Sequence, residues 1–235
     1  MEHRIAELER TLQWMKVALA LVVVLLSGLV FTAFRSGQQE DVLRVRGLVV
    51  TDEVGRDRIL IGAPVPASES RVRTDSDKAR AAWAGRFPNP DQYMKYYRDY
   101  SHATNGIVVL SEDGFDRLVV GDPVPDPNIG KRIGPSTGLV INDAEGFERS
   151  GYGLLDVEGE KRVVLGLDSG GGTEGLALFL FDNGVVGMSV EGEPYSLFLG
   201  SAPAGALPGG GQEPFSGLAF SQGQEVVRAI TGGGQ

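Results

Sequence analysis

Histidine is the side chain best suited to moving protons or ligating metals near neutral pH, and this chain holds two, His3 and His102. One precedes a long apolar stretch and the other lies beside a tyrosine-rich segment, so their placement predicts no shared metal site. The apolar stretch itself has no histidine and hence no axial ligand for a haem or a chlorophyll-type pigment. With no cysteine in the chain, disulfides, thiolate metal sites and a cysteine nucleophile are excluded, while the compartment stays open. Gly170–Gly175, GGGTEG, meets the pattern G-x-G-x-x-G. A dinucleotide fingerprint needs a helix after it, whereas Leu176–Phe181, LALFLF, is β-like and predicts a loop. No G-K-[ST] loop and no G-x-S-x-G elbow occurs. Carboxylates gather at the turns without the D-x-[DN]-x-[DN]-G spacing of a calcium loop, and they read as solvated turn residues. Every hairpin end offers a carboxylate pair, and nothing singles one out for hydrolysis. These residues name no catalytic group, cofactor or metal, and the reading is of a protein that is not an enzyme.

What positions these residues is a repeated unit. Gly106–Gly121, GIVVLSEDGFDRLVVG, is an apolar run, a carboxylate-rich turn with Gly114, Arg117, a second apolar run and a closing glycine. Gly47, Gly106, Gly138 and Gly151 each lead a copy. Gly55, Gly114, Gly146 and Gly159 follow eight positions on, and Arg58, Arg117, Arg149 and Arg162 three later. The closing glycines, fifteen positions from the start, are Gly62, Gly121, Gly153 and Gly166. The third and fourth copies overlap, which predicts a β-meander. Looser hairpins follow around Asp182-Asn183-Gly184, Glu191-Gly192-Glu193 and Gln222-Gly223-Gln224. The arms are nearly continuous apolar runs, which predicts cover on both faces and a closed or two-layered structure. The repeat arginine is expected to pair with turn carboxylates such as Asp57 or Asp116 and to serve the fold.

Two segments interrupt the array. Within residues 67–104, Ser76–Gly85 has helical composition, and Asn89-Pro90-Asp91 is a helix start with a capping Asn and Pro at the first position. The helix that follows places Tyr93, Tyr96, Tyr97 and Tyr100 on one face. With Trp83 they form a candidate partner surface, set against the plainer reading of a helix that lids the β domain. The second segment, Asp126–Thr137, is a Pro/Gly loop with Lys131 and Arg132. Residues 201–215 and 232–235 read as linker and flexible tail.

Ahead of the repeats lies Val17–Phe34, eighteen residues without a charge between Lys16 and Arg35. At helical rise it covers ~27 Å, close to the thickness of a bilayer's hydrocarbon core. It is longer than a signal-peptide core and lacks an A-x-A site, so it reads as a retained span. Trp14, Lys16 and Arg35 fall at its membrane interfaces. Residues 1–16 read as more helix, with Ile5, Leu8, Leu12 and Met15 as an apolar stripe able to dock on lipid or on a partner's helix. Residues 35–45 are a linker and 46–231 the extramembrane β domain. The flanking cations are balanced, and the short tail places the N-terminus inside and the large domain outside, in the periplasm of a bacterial inner membrane. The chain has 235 residues, a net charge of −9 and a pI near 4.8. That leaves room for one sizeable domain plus an anchor and argues against a nucleic-acid partner.

The repeat array resembles those of bacterial single-span membrane proteins, over roughly residues 46–231. The layout, not a motif, is similar to extrinsic accessory subunits of membrane complexes such as the photosynthetic reaction-centre H subunit. The resemblance implies a mainly β fold behind one helix. The expected role is a non-catalytic scaffold bracing a photosynthetic or respiratory assembly, with other membrane subunits as partners and no small-molecule ligand. An anchored ligand- or glycan-binding module is the alternative, and a hydrolase using turn carboxylates comes third.

Overall fold

The computed structural model describes residues 2–36, 42–125, 136–170, 174–206, 212–223 and 225–232, in two compact units, Met1–Val45 and Arg46–Gln235. Most of the second interrupting segment (126–135), the middle of the G-x-G-x-x-G stretch (171–173), part of the 201–215 linker (207–211) and the tail beyond Gly232 lie outside the described residues.

In the first unit, helix α1 runs unbroken over Glu2–Ser36 and joins the amphipathic and apolar stretches into one element. Leu12, Trp14 and Met15 are exposed along it, as is Lys16. Ile5, Leu8 and Arg35 lie outside the described side chains. Among the described residues no helix is long and apolar enough to cross a membrane. The described side chains of the uncharged run end at Gly28.

The second unit is one antiparallel sheet of twelve strands in chain order. The strands are β1 Gly47–Thr51, β2 Asp57–Gly62, β3 Gly106–Leu110, β4 Asp116–Gly121, β5 Ser136–Asn142 and β6 Glu148–Val157. They continue as β7 Glu160–Asp168, β8 Glu174–Phe181, β9 Val186–Val190, β10 Ser196–Ala202, β11 Phe215–Gln222 and β12 Glu225–Thr231. Each strand pairs with its sequence neighbours, so the meander read from the repeats is present. The strand order is linear, with β1 and β12 at its two ends and not paired with each other, so the sheet does not close by strand pairing. Apolar residues on both faces of a strand suggested double cover, but one face is left largely open, as described below.

The repeat signature has a direct meaning in the register. Leading and closing glycines are cross-strand partners, as in Gly47↔Gly62, Gly106↔Gly121, Gly138↔Gly153 and Gly151↔Gly166. Pairing between copies, Gly62↔Gly106 and Gly121↔Gly138, joins the first three pairs into a glycine row from Gly47 on β1 to Gly153 on β6. The row is sterically required where strands approach closely. A Cβ on Gly106 would collide with the Val120 carbonyl oxygen, and one on Gly138 with that of Tyr152. At the tips, Asp52 and Asp143 accept hydrogen bonds from backbone N–H groups two and four residues on, and Gly55 and Gly146 take φ of 85° and 80°. This is a type I turn closed by a left-handed glycine, the usual three-residue hairpin.

The repeat arginine is where expectation and structure part. Register shifts opposite Val50/Thr51, Val109/Leu110 and Ile141/Asn142 make Arg58, Arg117 and Arg149 the extra residues of β-bulges. Each Nε donates to a backbone carbonyl of the following strand, that of Leu110, Asn142 or Asp168, at 3.1 Å in every case. The ladders to those strands stop one residue short, at Ile59↔Val109, Leu118↔Ile141 and Ser150↔Leu167. The guanidinium therefore takes the place of a missing backbone donor. Arg58 also reaches turn carboxylates, Asp52 at 3.4 Å and Glu112 at 4.0 Å. In the fourth copy β6 and β7 join through a tight Glu158-Gly159 turn without a bulge, and Arg162 lies elsewhere.

The segment between β2 and β3 covers the hairpin tips. Helix α2, Ser76–Trp83, is capped by Asp75, and α3, Pro90–Asp99, by Asn89, whose Oδ1 accepts from the Gln92 N–H. Trp83, Tyr93, Met94 and Tyr97 turn inward against Val72 and the tip residues Phe115 and Phe147. The Trp83 indole N–H donates to the Glu145 carbonyl at 2.8 Å. This corrects the reading of Trp83, Tyr93 and Tyr97 as a partner surface. The shared helix face exists, but it is the face that closes the core. Of the four tyrosines Tyr96 alone is well exposed, at 59%, and Tyr100 is half-buried.

Candidate functional site

Side chains alternate faces along a strand, so cross-strand partners trace rows over the sheet. One row on the inner face starts with exposed Val49 and continues with Leu60, Val108, Val119 and Val140, which form a core with Val65 and Val124. Across β6 to β9 the same row reads Gly151, Gly166, Ala177 and Ser189, before Phe198 and Ala219 resume a core with Val185 and Phe215. Where side-chain volume vanishes, a trough of 690 Å³ opens between β5 and β12. That is the size of a small-molecule site.

The walls of the trough are unequal. Phe179 and Phe181 stack at 5.2 Å, with Phe198 6.0 Å from Phe179. Arg162 lies over the Phe181 ring at 5.0 Å and pairs with Glu160 at 3.1 Å. Arg162 Nε and Glu160 Oε1 are buried without a hydrogen-bond partner among the described residues. Along the other margin are Glu148, Asp168, Glu174 and Glu191. Asp168 is the cross-strand partner of Glu174, and the Glu191 N–H donates to the Gly175 carbonyl, so three of these carboxylates occupy adjoining strand ends. Burial, with the charges of Asp168 and Glu191 adding to it, raises the Glu174 pKa.

The outer face carries a different row. Leu48, Ile61, Ile107, Val120, Leu139 and Tyr152 are successive partners across β1 to β6. Leu165, Leu178, Met188, Leu199, Leu218 and Ile230 continue to β12. Every strand contributes one apolar side chain, over roughly 50 Å at the usual strand spacing. Tyr152, Leu178, Leu199 and Ile230 are each about half exposed, at 46–52%. A contiguous open stripe of this kind marks a contact surface.

A polar cluster lies under the helical segment. Asp116, 3% exposed, accepts from Arg71 Nε at 2.8 Å and from Arg71 Nη2 at 2.6 Å, with Arg73 Nε at 3.1 Å. The two guanidiniums hold the Asp116 carboxyl below its ordinary pKa against the cost of burial. His102 stacks on Tyr97 at 4.2 Å. Arg73 can only donate to His102 Nδ1, so the imidazole proton is on Nε2, facing the Tyr97 carbonyl at 2.9 Å. Burial first, then the neighbouring Arg73, lowers the His102 pKa to about 4. Burial raises that of the Tyr97 phenol, which donates to the Arg73 carbonyl, to about 12. The cluster ties the segment to β4, and His102, held between Arg73 and the Tyr97 carbonyl, reads as structural.

Set against known protein families, curated proteins and solved structures, the chain matches none. The residues singled out in the sequence are thus dispersed: Trp83, Tyr93 and Tyr97 in a core, Tyr96 on the surface, and Leu12, Met15, Trp14 and Lys16 on α1. The trough and the outer row were not anticipated. One signal was present. Two residues past the leading glycine the first three copies have Val49, Val108 and Val140, and the fourth has Gly153, a trough residue.

Proposed function

We propose that this protein is a membrane-anchored accessory subunit that braces a larger membrane protein complex and performs no chemistry of its own. The observation that carries the reading is the outer row, one apolar residue from each of twelve strands, on a face that is partly or well exposed along its length among the described residues. A partner with an apolar extrinsic surface is its natural cover. The uncharged run Val17–Phe34 within the continuous helix α1 supports an anchor, and exposed Trp14 and Lys16 suit the start of a span. The large domain is assigned to the periplasmic side of a bacterial inner membrane. Photosynthetic and respiratory assemblies are the first hosts to examine.

The test is purification of the full chain in mild detergent, beside Leu178→Glu/Leu199→Glu and Tyr96→Ala variants. Both altered sites are exposed, and unchanged melting temperatures would verify folding. A stoichiometric membrane complex that survives Tyr96→Ala and is lost in the double variant is the expected result. A chain that purifies alone, or that alkaline carbonate washes from membranes, overturns the reading.

A further inference from the structure

We propose that the trough is a binding site for a small organic cation, an ammonium compound with an aliphatic or aromatic body. The inference stands apart from the accessory role, since it concerns the inner face and needs no partner protein. Three features define the ligand. The floor has no side chain at Gly151 and Gly166 and only a methyl at Ala177, while the strands on both sides keep larger ones, so the space is written into the sequence of the array. The aromatic wall of Phe179, Phe181 and Phe198 suits an apolar body and offers ring faces to a cation.

Charge selects the head group. Among the described residues the lining carries the carboxylates of Glu174 and Glu191, beside Glu148 and Asp168, which have contacts of their own, and one cation, Arg162, which already pairs with Glu160. Glu148 projects over Gly151: a Cβ there would collide with its Oε1. The excess negative charge lies along one margin and the rings along the other, so a molecule with its cation at one end can meet both. Among the described residues no three carboxylates or histidines gather closely enough to hold a metal ion. A diffuse ammonium head fits such spread carboxylates better than a compact metal.

The probe is phenethylammonium, with phenethyl alcohol and 3-phenylpropionate as neutral and anionic counterparts, titrated by NMR into the full chain in non-ionic detergent. The ammonium is expected to saturate, the alcohol to bind at least tenfold more weakly, and the carboxylate not to saturate. Glu174→Gln/Glu191→Gln is expected to weaken the ammonium at least tenfold. Gly166→Leu, at a position where an added Cβ meets no atom within 4 Å, is expected to keep the fold and abolish binding. Saturation by the alcohol at equal affinity, binding unchanged by either variant, or no saturable ammonium binding each overturns the proposal. Loss of the membrane complex in the Leu178→Glu/Leu199→Glu variant would leave all these readings unaffected.

Discussion

The two halves of the sheet share a backbone plan and differ in what fills it. From β2 to β5 the inner row is Val and Leu, packed with Val65 and Val124 of the connecting loops, and the helical segment closes the tips. From β6 to β9 the same row is Gly, Gly, Ala and Ser, and the sheet surrounds a trough. Paired glycines set the strand register in both halves, while the neighbouring row decides between core and cavity. A hairpin repeat thus separates the problem of folding from the problem of making a site.

Breaking the filled half should cost the most. Asp116→Asn leaves Arg71 and Arg73 buried beside a neutral partner, and denaturant unfolding should register a loss of about 3–5 kcal/mol. Glu160→Gln, which breaks the partly buried Arg162 pair beside the trough, should cost less, about 1 kcal/mol. Equal losses would dissolve the contrast.

Glycine substitutions sharpen it next. Gly138→Ala forces a Cβ into the Tyr152 carbonyl and Gly153 and should destabilise by more than about 2 kcal/mol. Gly166→Ala adds a Cβ in open space and should stabilise by roughly 0.5–1 kcal/mol through the unfolded state. Opposite signs at two repeat glycines, read from paired melts, are the outcome that matters.

Acid should distinguish the halves more gently. The His102 pKa in the folded chain, about 4, lies below its ordinary 6.5, so the unfolded chain takes up the proton first. Stability contributed by the neutral imidazole is complete above pH 6.5 and declines as pH falls toward 4, by at most about 3 kcal/mol. The charged groups around the ring are Arg73, Arg71 and Asp116. Of these Asp116 is held ionised well into acid, so His102→Gln should flatten the slope between pH 6.5 and 4. Glu174 has the reverse sign. Its raised pKa means that the folded chain keeps the proton longer and loses stability as pH climbs past 4.5. Glu174→Gln should then give a slightly higher melting temperature at pH 7, the smallest effect of the set.

Much of this architecture was legible because glycine spacing reports pairing. Residues fifteen apart that must both be glycine, such as Gly47 and Gly62, are the partners in a close strand approach. The helix start at Asn89-Pro90 was equally plain, since capping is local. The role of Arg58 was not, because it depends on a bulge and on where the next ladder ends, and both are non-local. Tyr93 and Tyr97 share a face in any helix, but periodicity cannot say whether that face meets solvent or a neighbouring hairpin. The apolar arms misled for a related reason: Leu178 and Leu199 look like residues awaiting cover, and the cover is not within the β unit. The trough stayed hidden because a glycine in a strand reads the same whether it yields to a close backbone or leaves a void.

The meander order carries a consequence for how such a chain changes over time. Every strand hydrogen-bonds with its immediate sequence neighbours, and the longest excursion between strands is from Gly62 to Gly106. A hairpin can therefore be duplicated or deleted in register without rewiring any other pairing, as in other arrays held together by nearest-neighbour contacts. Lengthening the array would add both outer stripe and inner row. A lineage could thus widen its contact surface and its trough by gene duplication alone, one hairpin at a time.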